Sequence, residues 1–117
     1  MSPLVAALLV GVGGALGAMS RHLVGLYIAS RWSVAVVNTI GSFALGVTVA
    51  AGAGPALTIL VAVGFCGAFT TFSSVAVETV STAADGKSRV ATRFAVGTVL
   101  AAVAAYLFGS AIGTLLT

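Results

Sequence analysis

Four long apolar stretches, separated by short polar or glycine-rich breaks, fill nearly the whole chain. The first runs from about Leu4 to Ser20 and stops at Arg21-His22. A polar-edged connection follows, holding Tyr27, Ser30, Arg31 and Trp32, whose aromatic rings suit a membrane interface. The second stretch runs from about Val34 to Ala51, and Gly52-Ala53-Gly54-Pro55 reads as a turn. The third begins near Ala56 and continues to about Ala83; the fourth runs from about Ala91 to the end, with Asp85-Gly86-Lys87-Ser88-Arg89 as the loop between them. A helix needs roughly 20 apolar residues to cross the hydrocarbon core of a bilayer. The pattern therefore predicts an all-α membrane protein, a single transmembrane domain over 1–117 with helices at about 4–20, 34–51, 56–83 and 91–116.

The third stretch departs from uniform apolarity. Behind Gly64 and Gly67 it places Thr70, Thr71, Ser73 and Ser74 around Phe72, with Glu78 one turn further on. One hydroxyl in a membrane helix can bond back to a carbonyl a turn earlier. Four within five residues, after two glycines, predict a helix broken near its middle. Such a break is tolerated at membrane depth only inside protein or beside a water-filled cavity. Its freed carbonyls would face a cation, and its hydroxyls and amides would offer donors to an anion. In the second stretch, Asn38 lies among Val36, Val37 and Ile40. A carboxamide in lipid is costly unless paired, so Asn38 fits two readings, a hydrogen bond between helices or the wall of a pore. Glu78 is the one carboxylate inside a span, a position that marks functional candidates, although it falls near the end where water reaches it.

Composition agrees with the pattern. The chain is 60% hydrophobic and 6% charged, whereas a soluble domain carries about 25% charged residues. No basic region precedes the first stretch, so it reads as a retained span and not a cleaved signal. All five basic residues, Arg21, Arg31, Lys87, Arg89 and Arg93, lie around the first and third connections. In a four-span chain these share one side, which the positive-inside rule assigns to the cytoplasm, with both termini outside the cell membrane. Gly13-xxx-Gly17, Ser42-xxx-Gly46 and Gly109-xxx-Gly113 have the spacing of close helix contacts. Gly11-Val12-Gly13-Gly14 does not follow a strand and has the wrong spacing for a dinucleotide loop. Cys66 is alone in an apolar segment and reads as a small buried hydrophobe. His22 is the single histidine and Asp85 the single aspartate, so no metal cluster or catalytic constellation is visible, and no enzyme activity is expected.

Three ordered phrases carry a resemblance. Gly14-Ala15-Leu16-Gly17-Ala18-Met19-Ser20-Arg21, Val37-Asn38-Thr39-Ile40-Gly41-Ser42-Phe43 and Gly64-Phe65-Cys66-Gly67-Ala68-Phe69-Thr70-Thr71-Phe72-Ser73 resemble the signatures of the Fluc (CrcB) fluoride channels, and size and span count match. The resemblance implies a passive channel that exports fluoride from the cytoplasm and lowers its toxicity. It implies an antiparallel dimer with two pores at the subunit interface. It implies a structural sodium ion that is not transported, held by the Gly67 and Thr70 carbonyls of each subunit. Asn38, Phe72, Ser73, Ser74 and Thr98 would line the pore, and Arg21 would supply charge at a vestibule. The chemistry is coherent: a pore for a strongly hydrated anion must replace its water with fixed dipoles, and the edge of a phenyl ring carries partial positive charge.

Two features depart from a self-sufficient homodimer. The family phrase continues Thr-Thr-Phe-Ser-x-Phe, but Val75 occupies the second Phe position here. Each aromatic box in the family joins the first Phe of one subunit to the second Phe of the other. The one-sided basic residues also oppose insertion of one sequence in both orientations. Together they predict a heterodimer with a paralogous subunit. Two rivals remain: a non-conducting partner subunit, and a small multidrug or cation transporter, although the first stretch lacks the acid that proton-coupled exporters place there.

Overall fold

The computed structural model describes residues 1–117 and is entirely helical. Helix α1 covers Pro3–Tyr27 and α2 covers Arg31–Ala50. The third span, Pro55–Ala84, is made of α3 (55–69) and α4 (Phe72–Ala84), and α5 (Ser88–Leu115) forms the fourth. All four spans are long and apolar enough to cross a membrane. The protein is a multi-pass membrane protein, elongated at 51 × 30 × 23 Å.

The first helix is longer than its hydropathy indicates. It passes through Arg21-His22 without a break and ends at Tyr27. The connection to α2 shrinks to residues 28–30, and Arg31 and Trp32 open α2 instead of sitting in a loop. Polar residues ended the apolar pattern but not the helix, since arginine is a good helix former. Ser2 caps α1 by accepting from the Val5 amide, with Pro3 at the first helical position. The turn expected at Gly52–Pro55 covers residues 51–54. Gly54 (φ 89°) takes a conformation that a side chain would oppose before Pro55 starts α3.

Two helix pairs make up the bundle. α1 packs on α3, and α2 packs on α5, while α4 lies against α5. All three small-residue motifs mark close contacts. A Cβ on Gly13 or Gly17 would strike the backbone of Leu60 or Phe65. One on Gly46 would strike the Tyr106 carbonyl, and one on Gly109 the Phe43 carbonyl. Without a hydrophobic drive between helices in lipid, this backbone approach supplies the packing energy. The middle of α3 holds a feature the hydropathy pattern did not indicate: residues Thr58–Cys66 form a π-helix. Such wide turns cluster at functional sites.

Only 17 of 117 residues are buried, so most apolar side chains must meet lipid or another chain. Gly46→Val should destabilise the fold by about 1–3 kcal/mol through overpacking. Gly11→Val, at a glycine with open space around it, should be close to neutral. Thermal unfolding in detergent micelles measures the difference.

Candidate functional site

The third span breaks at two residues. Thr70 (φ −81°, ψ 160°) and Thr71 (φ −151°, ψ 121°) are extended. The interruption is narrower than the polar run, because Phe72, Ser73 and Ser74 form the first turn of α4. Thr71 caps that helix, its hydroxyl accepting from the Ser74 amide at 3.1 Å. The Thr70 hydroxyl donates back to the Cys66 carbonyl at 2.9 Å.

Asn38 holds the break open. Its Oδ1 accepts from the Thr71 amide at 2.7 Å, and its Nδ2 donates to the Thr71 carbonyl at 3.0 Å. An extended residue points its N–H and C=O to the same side, as in a sheet. A primary carboxamide has a donor and an acceptor at matching separation, so the buried side chain pairs with Thr71 as a strand neighbour would. Of the two readings of Asn38, the bond between helices is present. Gly41, one turn further along α2, makes the approach possible: a Cβ there would collide with the Thr70 methyl group.

This pairing frees two carbonyls. In a continuous helix the Thr71 amide would donate to Gly67 and the Ser74 amide to Thr70. Here the first donates to Asn38 and the second to the Thr71 hydroxyl. The carbonyls of Gly67 and Thr70 thus lose their helical donors. Two neutral oxygens at the C-terminal, negative end of α3 suit a hard cation. They are the pair that the resemblance assigns to sodium. The Arg21 guanidinium lies 3.5 Å from the Thr70 carbonyl, so Arg21 already places positive charge at the break.

A cleft of about 330 Å³ opens beside these groups. Asn38, Gly67, Thr70, Phe72 and Thr98 all line it, together with Val75. Phe72 is 83% exposed and Thr98 is buried. Ser73 and Ser74 do not join them. They line a second cleft with Ser30, Ser33 and Glu78. Arg21 lines a third, together with Thr71 and Ser74. Ser42 also lines the first cleft and was read from sequence only as a packing residue. The signal was present, since Ser42 follows Asn38 by four residues and so shares its helix face.

A family model described as "CrcB-like protein, Camphor Resistance (CrcB)" matches residues 8–110. The chain belongs to this family. A relative from Natronomonas pharaonis, "Fluoride-specific ion channel FluC 2", is 50% identical over 114 residues, covering 97% of this chain and 98% of its own length. One of the same name from Haloarcula marismortui is 45% identical over 106 residues, 88% of this chain and 89% of its own. "Fluoride-specific ion channel FluC" from Gloeobacter violaceus is 41% identical over 109 residues, 83% of this chain and 86% of its own.

Val75 belongs to the small core of this CrcB-like chain. It is buried at 8% exposure in a small cluster with Val34 and Phe94. A phenyl ring at position 75 would have to displace these neighbours or turn out into the cleft.

Removing the Asn38 carboxamide leaves both Thr71 backbone groups without a partner, at about 1–3 kcal/mol each. Asn38→Leu should therefore lower stability markedly. Asn38→Asp keeps an acceptor for the Thr71 amide but sets a second oxygen against the Thr71 carbonyl, so it should also destabilise. Hydrogen exchange at the Thr71 amide should rise in Asn38→Leu and stay slow in the parent, and thermal unfolding in micelles should come at lower temperature in both variants.

Proposed function

We propose that this chain is a subunit of a fluoride channel that passively carries fluoride out of the cytoplasm. The observation that carries this reading is the likeness to proteins named fluoride-specific ion channels along nearly the full chain. The polar break inside an apolar bundle supports it. Asn38, Phe72 and Thr98 form the pore wall, with Ser73 and Ser74 continuing the polar track in the neighbouring cleft. Arg21 draws anions toward the break. A structural sodium ion sits on the Gly67 and Thr70 carbonyls and offsets the negative end of α3. Two carbonyls are too few for a buried cation of this kind, so a second subunit completes the set.

The same reasoning makes the active unit an antiparallel dimer with a paralogous partner. Val75 is folded into this chain's own core, which leaves the second aromatic position to the partner. The basic residues, confined to one end, fix this subunit with its termini outside and favour a partner of opposite bias. The numbered names of two relatives accord with paired subunits.

Purified protein in liposomes, at neutral pH without a proton gradient, tests the reading with a fluoride electrode. The chain mixed with its paralogue should release trapped fluoride rapidly, and the chain alone much more slowly. No release from either preparation would end the channel reading, and full release from the chain alone would end the heterodimer. In the mixture, Phe72→Ile should remove most of the flux while the assembly stays intact by size-exclusion chromatography.

A further inference from the structure

A groove of about 470 Å³ lies apart from the break, between the first turns of α2 and the first half of α5. Arg31 and Trp32 on α2 and Arg93 on α5 line it together with mainly apolar residues from Val90 to Ala101, and no carboxylate is among its walls. From Val90 to Ala101 the groove extends ~16 Å along α5 at the usual helical rise. That is close to half of a hydrocarbon core of about 30 Å, the depth of one leaflet. Both helices start at the arginine-bearing end, so their positive dipole ends lie there too. Arg31 is held only by a long 3.5 Å bond to the Thr82 hydroxyl, and Arg93 is exposed.

We propose that this groove binds an anionic phospholipid of the surrounding bilayer. Arg31 and Arg93 hold the phosphodiester, and one acyl chain lies along α5 over Gly97. Basic pockets between membrane helices take such headgroups. Trp32 belongs at the same interfacial depth. Gly97 leaves the floor open: a Cβ there would meet nothing within 4 Å. A second copy of the chain is a poorer occupant. Turned end over end, it would bring its turn at residues 51–54 and its tails, which carry no acidic side chain to meet the arginines. A free phosphate would leave the apolar slot unfilled. The site does not depend on the fluoride reading, although Thr98 forms a wall of both this groove and the cleft at the break.

Trp32 is the only tryptophan, so its fluorescence reports on the groove. The full-length protein is reconstituted with phosphatidylglycerol or phosphatidylcholine carrying brominated acyl chains. Brominated phosphatidylglycerol should quench Trp32 at a roughly thirtyfold lower mole fraction, as two arginines near the membrane surface would give. Arg31→Gln with Arg93→Gln should abolish the preference, and Lys87→Gln with Arg89→Gln should leave it. Gly97→Leu should also abolish it by filling the slot without striking the fold. It decides the matter if the arginine double variant fails to assemble. Equal quenching by both lipids in the parent would overturn the proposal. So would an equal loss in the Lys87/Arg89 variant, or displacement of the lipid by millimolar inorganic phosphate. Absence of quenching by either lipid would mean that another chain covers the groove, and would overturn it as well.

Discussion

The Asn38 carboxamide, paired with both backbone groups of Thr71, is the contact on which the rest of the structure depends. A membrane helix is continuous because no water is present to satisfy a backbone group that leaves the ladder. To interrupt it, some side chain must replace the lost bonds. Asn38 does so for an entire residue, with bonds of 2.7 and 3.0 Å. Thr71 completes the exchange by turning its own hydroxyl to the Ser74 amide. The result is a pair of carbonyls, at Gly67 and Thr70, without their helical donors, the second met only by the Arg21 guanidinium at 3.5 Å, with α4 starting just beyond them at Phe72. A polar centre is thereby placed within an apolar bundle at the cost of very few buried polar side chains.

That exchange requires close approach, which the glycines provide. Gly41 lets α2 lie directly against the break, and Gly13, Gly17 and Gly64 bring α1 against the π-helical part of α3. α1 in turn carries Arg21 to the Thr70 carbonyl. The arginine therefore has a local structural partner as well as a long-range electrostatic effect. The guanidinium beside Thr70 puts one positive charge next to the adjoining cleft.

Much of this was legible in the residues. The apolar runs gave the spans, and the hydroxyl cluster behind Gly64 and Gly67 marked the broken helix. Small-residue spacing gave the contact faces. What hydropathy misjudged was the end of α1, because it counts Arg21-His22 as a stop while the helical backbone only needs its hydrogen bonds. It also spread the break over Thr70–Ser74, whereas one capping threonine confines it to Thr70 and Thr71. The π-helix left no signal, since its residues are as apolar as those of an α-helical neighbour. The division of the polar track was equally hidden: Ser73 and Ser74 point to the cleft shared with Glu78 because they follow the break, and only the start of α4 fixes their direction. The pairing of Asn38 with Thr71 could not be read from either residue alone, because it joins two spans.

The single chain leaves its polar break open at one side. Its break leaves Phe72 and Gly67 exposed at the surface of the bundle, and Val75 packs into the core with Val34 and Phe94. A partner that covers this face would close the cleft into a path and complete the oxygen set for a cation. The most direct measurement of the central claim is the reversal potential of the paired subunits in a planar bilayer under a tenfold fluoride gradient. A passive fluoride pathway predicts reversal at about 59 mV, the value for one charge per ion, with no change when a pH gradient is imposed. A reversal potential that tracks the pH gradient, or that ignores the fluoride gradient, would contradict it.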